Sequence, residues 1–145
     1  MIMKKILLTI ALSVVLLPLV SLAQMESAID KCQEHIIDPF ISDGQYYTVL
    51  LTEEDVAEFY VTFYGGTTYR LVGYCGDEDG NLAFSVYDQE RNLLFTNRDF
   101  ENTPCWDFKF ENTMDCIIEA EIDSKEIKSG MAVMLIGFKP QGDNK

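Results

Sequence analysis

The sequence predicts an all-β protein, a single β-sandwich or jelly roll of about eight strands preceded by a short N-terminal helix. Three observations lead to this fold class. Apolar and polar side chains alternate in short runs between residues 46 and 138, which is the period of half-buried strands. Turn residues separate these runs at nearly regular spacing. No segment after residue 38 has the length and periodicity of a helix.

The first 23 residues have the order of a cleaved signal peptide. Lys4 and Lys5 precede an apolar run, and Ser21-Leu22-Ala23 supplies the small residues that signal peptidase reads. The run is shorter than the roughly 20 apolar residues of a membrane span, and Pro18 interrupts it. We therefore expect cleavage after Ala23, no integral membrane segment after cleavage, and export to the periplasm or the cell exterior. The alternative is an uncleaved N-terminal anchor.

Composition limits the classes of partner. The 145 residues include 24 acidic and 11 basic ones, which gives a formal charge of −13. Such a charge repels phosphate backbones and anionic lipid heads, so we expect no nucleic-acid partner. Proteins, glycans and calcium remain open, and solubility alone is the alternative explanation of the charge. We divide the chain into signal peptide (1–23), helix and connection (24–40), β-sandwich domain (41–139) and flexible C-terminal tail (140–145).

The elements follow from the local patterns. Residues Ser27 to Ile37 form the predicted helix, Pro39 ends it, and Ser42-Asp43-Gly44 is turn chemistry. The predicted strands are Tyr46–Leu51, Val56–Tyr64, Thr67–Cys75, a strand with Leu82, Phe84 and Val86 inward, Leu93–Thr96, a strand with Trp106, Phe108 and Phe110 inward, Cys116–Ile122, and Met131–Phe138. The last is apolar on both faces, as a central strand would be.

Two turns carry further predictions. Gly65-Gly66 predicts a hairpin between the second and third strands, because glycine tolerates the positive φ of tight hairpin turns. The polar segment from Asp88 to Asn92 predicts a turn that returns the chain into the fifth strand.

Four cysteines in an exported chain predict disulfides rather than a metal site. Strand alternation turns Cys75 and Cys116 inward, so we predict that these two pair. Their bond would close a loop of about 40 residues and stabilise the fold by roughly 4 kcal/mol. Cys105 points outward and either reaches Cys32 on the helix or leaves both thiols free.

One acidic loop suggests a metal. Asp77, Asp79 and Asn81 place oxygen ligands at alternate positions around a glycine turn, which suits calcium. Carboxylates also favour such turns for conformational reasons alone. Calcium is therefore the one cofactor that the sequence raises, and otherwise we expect none.

Two tyrosines are the candidate ligand-binding residues. Tyr60 and Tyr64 lie opposite the apolar side of their strand, about 13 Å apart at the rise of an extended chain. Exposed tyrosines can stack on sugar rings or anchor a protein partner. Alternatively, they cover a neighbouring strand or pack beneath the helix.

Catalysis has little support in the sequence. His35 is the single histidine, and Cys32-x-x-His35 on the helix is the one arrangement that could form a thiolate–imidazole pair. The serine-hydrolase, zinc-protease and phosphate-loop motifs are absent from the sequence. We therefore predict no catalytic residues and no enzyme activity.

Four segments carry a resemblance to a known family: VAEFYVTFYGGTTYRL, DGNLAFSVYDQERNLLF, WDFKF and MAVMLIGFK. Together they resemble the bacterial pre-peptidase C-terminal domains and small exported proteins of the same plan. The resemblance implies a jelly-roll β-sandwich that binds, stabilises or targets rather than catalyses. The sequence departs from that setting, because these 145 residues contain no peptidase and add four cysteines and a helix.

The predicted function is accordingly an exported, non-enzymatic binding or structural module with an unknown protein or glycan partner. The first alternative is a calcium-stabilised glycan-binding module that uses Tyr60 and Tyr64. The second is a small secreted hydrolase with a carboxylate site.

Overall fold

The computed structural model describes residues 22–141, which form one α-helix, eight strands and a short 3-10 helix. The elements are α1 (22–34), β1 (Ile41–Thr52), β2 (Ala57–Phe63), β3 (Thr68–Cys75), β4 (Leu82–Asp88), β5 (Leu93–Thr96), the 3-10 helix (Asn97–Phe100), β6 (Cys105–Lys109), β7 (Met114–Ile122) and β8 (Ser129–Lys139). All of the predicted signal peptide except its last two residues lies outside the described range, as do the last four residues of the predicted tail. Within residues 22–141, no helix is long and apolar enough to cross a membrane.

The strands pair as one long antiparallel ribbon. β1 pairs with β8, β2 with β7, β3 with β6 and β4 with β5. The ribbon is curled so that β3 also pairs with β8 and β4 with β7. The result is two four-stranded sheets, sheet A in the order β1-β8-β3-β6 and sheet B in the order β2-β7-β4-β5. The predicted β-sandwich of about eight strands with a short N-terminal helix is therefore confirmed.

Strand alternation builds the core between the sheets. Phe63 of sheet B is fully buried, and its ring centre lies 4.9 Å from the rings of both Tyr69 and Phe108 of sheet A. The other buried members of this cluster are Leu51, Leu71, Cys75, Leu82, Phe84, Val86, Cys116, Ile118, Ala120, Ile122, Ala132 and Met134. The prediction that the last strand is central is also correct, because β8 lies between β1 and β3.

The predicted hairpin at Gly65-Gly66 is wrong. β2 and β3 belong to different sheets, so these glycines carry the chain from sheet B to sheet A. The turn packs against the segment that joins β6 of sheet A to β7 of sheet B, where Gly66 N donates to Phe110 O at 2.8 Å. A Cβ at Gly65 would lie 2.7 Å from Glu111 O, so close backbone approach requires glycine there. Glycine signals a turn, but not whether the flanking strands pair.

The other turn predictions had different outcomes. Asp88–Asn92 does join two paired strands, β4 and β5, and Asp88 Oδ1 accepts hydrogen bonds from the backbone of Glu90 and Asn92. Ser42-Asp43-Gly44, expected to precede the first strand, is instead a bulge inside β1. The register against β8 shifts between Ser42 and Tyr46, and the strand continues on both sides.

Helix α1 covers the outer face of sheet A. Its residues Ala28 and Cys32 are fully buried against Val72, Val133 and Leu135 of β3 and β8. The helix ends at residue 34, three residues before the predicted end, and already includes residue 22. The outer face of sheet B carries no such cover among the described elements.

Three aromatic rings stack on one another at the β5/β6 edge of the sandwich. Trp106, predicted to point inward, stacks between the two sheets with its ring centre 4.8 Å from Phe95 and 4.2 Å from Phe100. Asn97 is fully buried beneath them: its Oδ1 accepts from Phe84 N at 2.8 Å, and its Nδ2 donates to the carbonyls of Leu82 and Thr103. We call this the closed edge.

Candidate functional site

The opposite edge, formed by β1 of sheet A and β2 of sheet B, is open. A cleft of about 570 Å³ lies there. We call it the tyrosine cleft, and its lining comprises Asp43, Gln45, Tyr47, Tyr60, Val61, Thr62, Tyr64, Thr67, Tyr69, Ile136 and Phe138. Concave, largely aromatic sites with a few polar groups are the usual form of a binding site.

Tyr60 and Tyr64, the two sequence-predicted binding residues, both lie in this cleft. Tyr60 is 71% exposed and Tyr64 is 62% exposed, whereas Phe63 on the inward side is fully buried. The alternation of β2 therefore places the two rings as expected, and they do not cover a strand or pack beneath the helix. Whether they bind a ligand stays a prediction.

The floor of the cleft is formed by two tyrosines that sequence reasoning missed as site residues, the buried Tyr69 and the half-buried Tyr47. Tyr69 is 8% exposed, and its hydroxyl accepts a hydrogen bond from Tyr64 N at 2.9 Å. Tyr47 packs its ring 5.3 Å from that of Phe59, which joins the two sheets at this edge. No local pattern marks these residues, because their role depends on β1 and β2 becoming the edge strands.

The bulge in β1 forms the rim of the cleft. Asp43 Oδ1 accepts from Gln45 N at 2.9 Å, Ser42 Oγ accepts from Gly44 N at 3.0 Å, and Gly44 adopts φ +84°. These contacts explain the Ser-Asp-Gly sequence locally, since short polar side chains and glycine stabilise such turns. They also hold the Asp43 carboxylate at the mouth of the cleft.

A second concavity of about 410 Å³ shares Tyr60 with the first and lies on the uncovered face of sheet B. Asp115 lines it and accepts from Thr62 Oγ1 at 2.5 Å. Cross-strand pairing puts Ile117 between Tyr60 and Tyr87, and Ile117 is only 7% exposed. Because Tyr60 lines both concavities, it lies between them, and we call its position the Tyr60 ridge.

Charged residues brace this ridge. Arg91 joins Glu58 of β2 to Glu119 of β7, with N–O distances of 2.7 and 2.6 Å. Its guanidinium lowers the pKa of Glu58, and the hydrogen bond from the Tyr60 hydroxyl adds to that effect. The same hydrogen bond to Glu58 raises the pKa of Tyr60, so its hydroxyl stays protonated at neutral pH.

In the acidic loop predicted to bind calcium, Asp79 and Asn81 have hydrogen-bond partners within the chain. Asp79 Oδ1 accepts a hydrogen bond from the Tyr74 hydroxyl at 2.8 Å, and Asn81 is 9% exposed with its amide toward Cys75 O. Asp77 is exposed. Within residues 22–141, no group of three or more His, Cys, Asp or Glu side chains is arranged to hold a metal ion. Calcium binding at Asp77, Asp79 and Asn81 stays a prediction.

The Cys32–His35 pair is not arranged as a nucleophile and its base. Burial raises the pKa of the Cys32 thiol to about 12, and its sulfur faces Val133 O. His35 Nε2 instead lies 2.7 Å from the hydroxyl of Tyr74. The thiol is therefore protonated at neutral pH, and the histidine is part of a polar contact with Tyr74 and Asp79.

The predicted Cys75–Cys116 disulfide is absent, and all four cysteines, Cys32, Cys75, Cys105 and Cys116, are free. Both Cys75 and Cys116 face the core as predicted. However, they lie at different distances from the end of the sandwich where Phe63 contacts Tyr69 and pairs with Met114. Cys75 is six residues along β3 from Tyr69, whereas Cys116 is only two residues along β7 from Met114. The two are thus about 13 Å apart along the strands, whereas a disulfide needs Cα atoms within about 7 Å. Alternation determines which face of a sheet a residue lies on, but not how far along the sandwich it lies.

Cys32 and Cys105 come closer to expectation. Cys105 points to the outer face of sheet A and packs against the cluster that contains Cys32 beneath helix α1. Both remain thiols in the structure, which is one of the two alternatives that the sequence left open.

Comparison with known proteins identifies a fold but no family. No protein-family model matches the chain, and no curated protein matches it in sequence. Among solved structures, it is similar to PliG of Aeromonas hydrophila, described as a periplasmic lysozyme inhibitor of g-type lysozyme. The TM-score is 0.51 at 10% identity, over 68% of this chain and 90% of that one. At that identity the likeness shows the sandwich fold alone, and the resemblance to pre-peptidase C-terminal domains stays a prediction.

Proposed function

We propose that this chain is an exported, non-enzymatic module that binds a protein through the tyrosine cleft, and that its partner is a lysozyme-type glycosidase. The observation that carries the proposal is the contrast between the two edges. One is filled with stacked rings, while the other presents Tyr60 and Tyr64 to solvent above a cleft. Exposed tyrosines beside a cleft are typical anchors of protein interfaces.

Three further observations support this proposal. The sandwich is similar to that of PliG, an inhibitor of g-type lysozyme. The signal-like first 23 residues favour export, so the module would meet enzymes outside the cytoplasm. A formal charge of −13 favours fast encounter with a cationic protein.

The non-enzymatic part of the proposal rests on the state of the reactive groups. Cys32 is a buried thiol with a raised pKa, and His35 contacts the hydroxyl of Tyr74 on the outer face of sheet A. Neither group lines the cleft. A nucleophile and its base would have to share the substrate site.

The test measures whether the processed protein slows lysis of bacterial cell walls by purified g-type and c-type lysozymes. We expect dose-dependent inhibition of at least one enzyme and a stable complex in titration calorimetry. Tyr60→Ala should abolish both, whereas Leu50→Ala, which removes a 65% exposed apolar side chain outside the cleft, should leave both intact. Failure of the wild-type protein to bind or inhibit either enzyme would overturn the lysozyme assignment.

A glycan is the second candidate ligand, because Thr62, Gln45 and Asp43 place polar groups beside the tyrosine rings. That combination of a stacking surface and hydrogen-bonding groups also suits a sugar. Titration with soluble chitin oligomers and peptidoglycan fragments separates the two candidates. Binding of sugars that Tyr60→Ala removes, without binding of lysozyme, would replace the protein partner by a glycan.

A further inference from the structure

We infer that the tyrosine cleft receives a cationic side chain, an arginine or a lysine, from the protein partner. This inference rests on the proposed function and specifies which part of the partner enters the cleft. It draws on three features of the described residues: the aromatic lining, the distribution of ion pairs around Tyr60, and the charge of the chain.

The lining of the cleft is suited to a cation. Four tyrosines and one phenylalanine face it, and Asp43 is the one charged residue among the lining residues. The faces of aromatic rings carry partial negative charge and attract ammonium and guanidinium groups. The chain already uses this contact elsewhere, since the Arg70 guanidinium lies 4.0 Å from the centre of the Phe40 ring.

Carboxylates of two groups lie around the cleft and sheet B, those with an arginine partner and those without. Glu58 and Glu119 share the guanidinium of Arg91, and Glu121 and Asp123, farther from Tyr60, share that of Arg98. Each of these four carboxylates therefore has a cationic partner within the chain.

Asp43 and Asp115 form the second group, one on each side of the Tyr60 ridge. Neither is part of an ion pair among the described residues. Asp43 uses Oδ1 to accept from Gln45 N, and Asp115 accepts from the neutral side chains of Thr62 and Gln89. Two carboxylates without a cationic partner among the described residues thus line the two concavities that share Tyr60, the most exposed tyrosine of the cleft.

Arginine fits this arrangement better than lysine. Its planar guanidinium can stack on a tyrosine face and donate to a carboxylate at the same time, and it sheds water more easily than an ammonium. The carboxylate of Asp43 and the ring of Tyr60, which both line the cleft, supply one acceptor and one aromatic face. The acidic chain would also draw a cationic partner toward this edge.

The experiment uses two small probes of equal shape, L-argininamide and L-citrullinamide, and follows the tyrosine ring signals of the processed protein by NMR. Argininamide should shift the signals of Tyr60 and Tyr64 in a saturable manner, while neutral citrullinamide should not. Asp43→Asn and Tyr60→Ala should each weaken argininamide binding about five- to tenfold, the size of a lost cation–π or charged contact. Tyr60→Phe should retain it, because the ring face remains, and Leu50→Ala is the matched control.

The outcomes separate this inference from the proposed function. Equal shifts with both probes, or no shift with argininamide, would overturn the cation assignment even if the protein inhibits a lysozyme. Specific argininamide binding without any lysozyme complex would instead leave the cation site standing and remove the lysozyme as partner. Competition of argininamide by chitin oligomers would indicate that the cleft is a sugar site.

Discussion

Each edge of the sandwich is formed by one strand from each sheet, and the two edges differ in the side chains that lie between those strands. At the closed edge, β5 and β6 are bridged by the rings of Phe95, Phe100 and Trp106 above the buried amide of Asn97. At the open edge, β1 and β2 are joined by one ring contact, Tyr47 with Phe59, and the remaining tyrosines face a cleft.

Under the proposed function, one edge of the sandwich serves stability and the other serves binding. Rings that stack on each other bury apolar area and contribute to the free energy of unfolding. Rings that stand in solvent contribute little to folding and keep their contact area for a partner. Substitutions at the closed edge should therefore lower the free energy of unfolding, and substitutions at the rim of the open edge should leave it nearly unchanged.

The largest expected effect concerns Asn97. Asn97→Ala removes three hydrogen bonds and leaves the Phe84 N–H and the Leu82 carbonyl buried without partners, at a cost of about 1–3 kcal/mol each. We expect the free energy of unfolding to fall by about 4 kcal/mol in urea titration. Asn112→Ala, at an exposed loop position, is the control and should have no measurable effect. A loss below about 1 kcal/mol would contradict the importance of these three hydrogen bonds for stability.

Trp106 gives the direct comparison of the two edges. Trp106→Ala should lower the free energy of unfolding by about 3 kcal/mol, because it opens a hole between Phe95 and Phe100. Tyr60→Ala should change it by less than about 0.5 kcal/mol, since its ring is largely in solvent. Similar losses for the two variants would mean that the open edge also supports the fold, and the contrast would be lost.

Tyr69 distinguishes the floor of the open edge from its rim. Tyr69→Phe removes the hydroxyl that accepts from Tyr64 N, so we expect a loss of about 1 kcal/mol. Tyr64→Phe removes only an exposed hydroxyl and should be neutral. Thermal unfolding of both variants checks the difference, and an equally neutral Tyr69→Phe would argue that the floor is not fixed by this bond.

The smallest effect concerns the ion pairs beside Tyr60. The pKa of Glu58 is lowered by Arg91, so the interaction stabilises the fold above the unfolded pKa of 4.5 and is lost as the pH falls through the folded value. Arg91→Gln should return the pKa of Glu58 toward 4.5 in an NMR titration. Arg98→Gln, which removes the neighbouring clamp on Glu121 and Asp123, should leave it unchanged. An unchanged pKa of Glu58 in the Arg91→Gln variant would show that Arg91 does not stabilise the Glu58 carboxylate.

Prediction from sequence succeeded where one strand decided the outcome. The exposure of Tyr60 and Tyr64 follows from alternation along β2, and the turn at Asp88–Asn92 from its own polar side chains. It failed where two distant segments decided the outcome. Gly65-Gly66 joins different sheets rather than a hairpin, and Cys75 and Cys116 share the core but not the same end.

The amino-acid sequence by itself determined the fold class, the inward and outward faces of the strands, and the acidic charge, because each depends on composition or on neighbours within one strand. Only the tertiary structure decided which strands lie at the edges, and with them the closed edge, the tyrosine cleft and the free thiols. The physical reason is that strand order comes from pairing between segments such as β1 and β8, at opposite ends of the domain. Local periodicity indicated that β8 is central, but it carries no information about which strands pair with it.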